Sequence, residues 1–145
     1  MSWKLRAAMS ALLLAPQVAW ALGLGDIRLS SALNEPLAAE IDLVAPTADE
    51  LTSLSAQLAS RELFQRYGLD RPAFLDSVQF RVGQGRDGRN VLLLSSATPI
   101  AEPFLTFLVE VNWPRGRLLR EYTVLLDPPV FAAAAAAPPP PVAAP

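Results

Sequence analysis

The sequence predicts a small, mainly β domain with a short helical insert, built as an antiparallel, immunoglobulin-like sandwich. Three observations carry that expectation. Apolar and polar side chains alternate with period two in one stretch after another. Turn-forming residues separate those stretches. A single segment, between Thr47 and Tyr67, changes to helical spacing instead. The 145 residues allow one domain, and 52% apolar residues are ample for a core.

In chain order, Met1–Ala21 reads first as a secretory signal peptide. Lys4 and Arg6 make a basic start, Ala7–Ala15 an apolar stretch broken by Pro16, and Ala19-Trp20-Ala21 a small-x-small cleavage pattern. Cleavage is expected after Ala21. The alternative, an uncleaved anchor, would have to run a helix through Pro16 and Gln17. The folded unit is expected over residues 22–127.

Asp26–Ser30 alternates, with Ile27 and Leu29 on one face. Leu37–Val44 does the same with Leu37, Ala39, Ile41 and Leu43. Asn34-Glu35-Pro36 between them is turn chemistry, since Pro fixes φ and Asn tolerates left-handed geometry. Thr47 followed by Glu50 is a capping box, and Leu51, Leu54 and Leu58 then share a helical face, so a helix is expected over Thr47–Ser60. A second short helix is expected over Arg61–Tyr67, stopped by Gly68, and Asp70-Arg71-Pro72 is expected to end the helical region.

Ser77–Val82 returns to period two with Val78, Phe80 and Val82 inward. Asp87-Gly88 signals a hairpin, and the near-continuous apolar run Val91–Ser96 suits a central strand. Pro99 and Pro103 bracket an irregular or edge crossing. Phe104–Trp113 is the longest strand: Leu105, Phe107, Val109, Val111 and Trp113 form one apolar face, and the other mixes Phe104, Thr106 and Leu108 with Glu110 and Asn112. Pro114-Arg115-Gly116 turns the chain, and Leu118–Leu126 runs back. Pro128–Pro145 is a Pro/Ala-rich, uncharged tail, expected to be a linker. Nothing follows it in this sequence, which suits either part of a longer protein or a tail that is itself a spacer or ligand.

Composition excludes much chemistry. There is no His and no Cys, so Ser-His-Asp and Cys-His arrangements, disulfides and zinc-thiolate sites are absent. Lys4 is the only lysine, and without the leader the chain has ten Arg against fourteen Asp and Glu, a net charge of −4. A mildly acidic exported domain is a poor nucleic-acid binder. Asp26, Glu40 and Asp42 make at most a weak acidic patch, without clustered loop ligands for a divalent ion. Gly23-x-Gly25 and Gly83-x-Gly85 open no helix and are not phosphate loops. Glu110 and Glu121 lie on neighbouring strands, but nothing in the composition suggests a sugar cleft around them. No enzyme activity, cofactor, metal or small-molecule substrate is expected.

Candidate binding residues cluster on the last hairpin. Glu110 and Glu121 against Arg117 and Arg120 read as cross-strand pairs or as a partner-binding patch. Trp113 shares the parity of Val109 and Val111, which favours the core over an exposed platform for glycan or protein. Asn34, Pro36, Pro103, Phe104, Pro114, Gly116 and Tyr122 read as structural motif positions.

Two strings, GLGDIRLSSALNEPLAAEIDL (Gly23–Leu43) and EPFLTFLVEVNWPRGRLLREYTVLLDPP (Glu102–Pro129), resemble the N-terminal periplasmic domain of the FimV family, which includes the HubP and TspA proteins. Asp70-Arg71-Pro72-Ala73-Phe74-Leu75 fits the same pattern. The resemblance covers about residues 22–131. It implies a role in type IV pilus secretin assembly, twitching motility and polar organisation, with envelope proteins of the pilus machinery as partners. In that family the domain precedes a Pro/Ala-rich linker and a LysM peptidoglycan-binding module. A transmembrane helix and an acidic cytoplasmic part with tetratricopeptide-like repeats come further on. This sequence carries the domain and the start of the linker, so any peptidoglycan contact through LysM would need a module outside it. Two other readings are a cell-wall glycan-binding module using Trp113, Tyr67 and Tyr122 as stacking groups, and a chaperone-like sandwich donating a strand to pilus subunits.

Overall fold

The computed structural model describes residues 21–129. Apart from Ala21, the expected leader lies outside the described residues, as does most of the Pro/Ala-rich tail.

Seven strands form two antiparallel sheets. β1 (Gly23–Leu29), β2 (Pro36–Val44), β4 (Val78–Gln84) and β5 (Asn90–Pro99) make a four-stranded sheet in the order β1-β2-β5-β4. β3 (Ser55–Leu58), β6 (Phe104–Trp113) and β7 (Gly116–Leu125) make a three-stranded sheet in the order β3-β6-β7. The expected sandwich is therefore present, and β5 is a central strand as its apolar run required. Period two sends alternate side chains into the space between the sheets. Ile41, Leu92 and Leu94 from one sheet and Phe107, Val109 and Val111 from the other are each at most 2% exposed. Burying one such side chain contributes about 1.5–3 kcal/mol.

The first two strands pair antiparallel with a bulge: Leu24 faces Leu43 and Ile27 faces Ile41, so Gly25 and Asp26 together oppose Asp42. Glycine is required there, because a Cβ on Gly25 would lie 2.9 Å from the Cβ of Asp42. The β1–β2 turn holds Asn34 at φ 65°, and its N–H donates to the Ile100 carbonyl at 2.8 Å. Pro36 opens β2, opposite Pro99.

One expectation fails. The helix read over Thr47–Ser60 stops at Ser53: α1 spans Ala48–Ser53, and β3 follows at once. The capping box is formed, with Glu50 N–H donating to Thr47 Oγ1 at 3.3 Å and Thr47 N–H to Glu50 Oε2 at 2.9 Å. At the other end the Thr52 and Ser53 hydroxyls donate back to the Asp49 carbonyl, and Leu54 turns extended at ψ 130°. Leu54, Ala56 and Leu58 then alternate along β3, which pairs with β6. The edge of β6 outweighs the weak helical preference of the Ser55–Leu58 run.

A second correction concerns Pro72. α2 (Arg61–Arg66) is capped by Ser60 and followed by Gly68 at φ 69°, as expected. Asp70-Arg71-Pro72 does not end the helical region, because Pro72 is the N-cap of a 3-10 helix at Ala73–Ser77. Proline is tolerated at a helix start, where its missing N–H is not needed. This connection joins β3 to β4, edge strands of different sheets, and buries Phe64 and Leu75.

The candidate interaction surface

The β6–β7 hairpin closes on Pro114-Arg115, with Trp113 opposite Gly116. A Cβ at Gly116 would stand 3.1 Å from Trp113 Cζ2, so the indole lies against the glycine. Trp113 is partly buried and packs on the core. It is neither a bare platform nor a sealed core residue.

Glu110 faces away from the inter-sheet core yet is only 8% exposed. Asn112 Nδ2 donates to its Oε1 at 3.0 Å, and an Arg117 guanidinium nitrogen donates to its Oε2 at 2.8 Å. Arg117 stands opposite Asn112, so its contact with Glu110 is a diagonal cross-strand pair. Glu121 stands opposite Leu108 on the same outer face and is exposed, with no ion pair among the described residues.

Arg120 does not join that group. Three residues from Arg117 along a strand, it points to the opposite face. Its guanidinium donates to the Leu24 carbonyl, lies 4.0 Å from Asp26 Oδ1, and sits 4.9 Å from the Tyr122 ring centroid. The Tyr122 hydroxyl donates to the Gly25 carbonyl at 2.8 Å. Arg120 and Tyr122 thus reach from the edge strand β7 to the bulge of β1 and tie the two sheets together. Burial pushes the Tyr122 phenol up to about 12, against the opposing pull of the Arg120 charge. The sequence reading missed this clamp. Its signal was the parity of Arg120 with Leu118, Tyr122 and Val124.

On the outer face of the four-stranded sheet, Arg28 donates to both Asp42 carboxylate oxygens at 2.8 Å and lies 3.5 Å from Glu40. Arg89 is 3.6 Å from Asp42 and donates to Asp87 at 2.6 Å. Asp42 and Glu40 are therefore paired with arginines, while Asp26 stands by Arg120 on the other side of the bulge. The patch that Asp26, Glu40 and Asp42 suggested in the sequence is not assembled. The Arg89 guanidinium holds the Asp87 carboxyl below its usual value, and the Asp42 contact raises Arg28.

At the opposite end from the hairpin, Pro103 offers its carbonyl to Leu126 N–H at 2.8 Å. Phe104 is 61% exposed and stands opposite Leu125, 65% exposed. A groove of about 300 Å³ opens beside Phe104. Among the described residues no helix is long and apolar enough to cross a membrane.

Comparison with known proteins fits this architecture. A family model described as the FimV N-terminal domain, an Ig-like domain, matches residues 22–129. Two relatives named motility hub protein FimV, from Pseudomonas aeruginosa strains PAO1 and UCBPP-PA14, are each 47% identical over 127 residues. The match covers 88% of this chain and 14% of each relative, so the chain spans about a seventh of their length. No solved structure matches the chain. With all seven described strands, Gly23 to Leu125, inside the matched residues 22–129, this chain belongs to the FimV family.

Proposed function

We propose that this chain is a non-catalytic, periplasmic interaction domain through which a FimV-type protein supports type IV pilus secretin assembly, twitching motility and polar organisation. The observation that carries the reading is the family match over residues 22–129, joined to relatives named as motility hubs. The leader read in residues 1–21 supports a periplasmic site of action. The partners are envelope proteins of the pilus machinery. Charge-paired arginines on one sheet face, a packed hairpin and an open groove suit docking better than chemistry, which needs positioned acids, bases or nucleophiles.

The test is an in-frame deletion of residues 22–129 at the native locus, with the leader and all downstream sequence retained. Detergent-resistant secretin multimers are then compared on a blot. The reading expects their loss or strong reduction at unchanged secretin monomer. Normal multimers in that strain, without a second gene of the same type, overturn it.

A further inference from the structure

β3 is four residues long and its neighbour β6 is ten, so β3 pairs only with Val109–Asn112. One more bond follows, from Ala59 N–H to the Leu108 carbonyl at 2.8 Å. The register that sets Ser55 opposite Asn112 would bring Arg61 opposite Thr106, but Arg61 is the first residue of α2. The chain leaves the ladder there. The N-terminal part of β6 has β7 on one side and, among the described residues, no strand on the other.

Two bonds fix which way Thr106 points. The Ala59–Leu108 bond shows that even-numbered residues of β6 direct their backbone groups toward β3. The Leu126–Pro103 bond shows that odd-numbered ones direct theirs toward β7. The N–H and C=O of Thr106 therefore face the gap left by β3, and neither has a backbone partner among the described residues. The groove of about 300 Å³ lies in this gap, lined by Leu69, Asp70, Pro72, Glu102, Phe104 and Thr106 among others. Asp70 and Glu102 are exposed and form no ion pair among the described residues.

We propose that this half-open edge of β6 is a strand-addition site for an extended peptide segment of a protein partner, in which aliphatic residues alternate with lysine or arginine. The peptide backbone completes the Thr106 hydrogen bonds, as main-chain pairing does wherever a strand is added to a free edge. The peptide residue opposite Thr106 shares its face with Phe104, whose exposed ring offers an apolar contact and is flanked on its β7 side by the exposed Leu125. Basic residues meet Asp70 and Glu102, which gives charge complementarity and excludes acidic segments. The proposal deepens the interaction-domain reading and rests on it for the partner being a protein.

Amide hydrogen exchange on the 15N-labelled full chain tests it. In the free chain the Thr106 amide is expected to exchange at least about tenfold faster than those of Leu105 and Phe107. An excess of an acetylated hexapeptide alternating lysine with leucine is expected to slow Thr106 by at least about tenfold and to shift the Leu69 and Phe104 resonances. The glutamate–leucine counterpart is expected to do neither, and the double variant Asp70→Lys, Glu102→Lys to reverse that preference. Both positions are exposed, so the variant keeps the fold. A Thr106 amide already as protected as Leu105 in the free chain overturns the proposal, as does slowing by neither peptide or by both equally. These outcomes leave secretin assembly in the deletion strain unaffected as a test, so the site and the functional reading fail separately.

Discussion

Replacing Tyr122 by Phe removes one oxygen and leaves the ring, its burial and its packing in place. That oxygen donates to the Gly25 carbonyl at 2.8 Å, on a residue only 5% exposed. The lost bond costs about 1 kcal/mol, and a carbonyl left without its donor raises the total to about 1–2 kcal/mol. For a folded unit of this size the melting temperature should fall by about 4–9 °C. Thermal unfolding followed by far-ultraviolet circular dichroism at pH 7 reads this directly. Burial of the same phenol makes an alkaline prediction. The phenol's folded value is raised from 10.0 to about 12, so its contribution is complete below pH 10 and lost as pH climbs through about 12. The stability gap between the native chain and Tyr122→Phe should therefore close across that window. A variant that melts with the native protein, or a gap that does not change up to pH 12, refutes the claim that Tyr122 ties β7 to β1.

Three further outcomes follow from the same geometry. Arg117→Ala leaves Glu110 with Asn112 alone at a site 8% exposed, and should cost about 1 kcal/mol in urea unfolding, more than an ordinary surface pair. Gly116→Ala forces the Trp113 indole to move from a position 3.1 Å from the new Cβ, and should cost about 1–3 kcal/mol and shift the tryptophan emission. Arg71 and Arg89 hold the carboxyls of Asp76 and Asp87 below the ordinary 3.8. Their stabilisation is therefore complete above about pH 4 and lost as pH falls through the lower folded values, so Asp76→Asn should flatten the acid limb of a stability–pH curve.

Much of this fold was legible because the signals were local. Leu105, Phe107, Val109, Val111 and Trp113 give β6 one continuous apolar face, and Pro114-Arg115 leaves only a tight turn before the return strand. Asn34, Gly68 and Gly88 take positive φ where turn chemistry asks for it. Ala45 also takes positive φ, at 51°, and nothing in its side chain announces it. The helix boundary was illegible for a different reason. Leu51, Leu54 and Leu58 fit a helix, while Leu54, Ala56 and Leu58 fit a strand equally well. The choice was made by β6, some fifty residues away, which needs an edge partner. The site divided in the same way. Glu110 with Arg117 followed from hairpin proximity. The inward turn of Arg120 shows in its parity with Tyr122 and Val124, but its partners, the Leu24 carbonyl and Asp26, sit at a β1 bulge that no pattern around Arg120 reveals. The open edge beside Thr106 became visible only once β3 proved to be short.

The most direct test of the central claim, that this domain serves motility by binding, is the twitching zone of a strain carrying the in-frame deletion of residues 22–129. The account predicts a zone reduced toward that of a strain lacking the whole gene, with the truncated protein still present at normal level. A zone of wild-type diameter would contradict it.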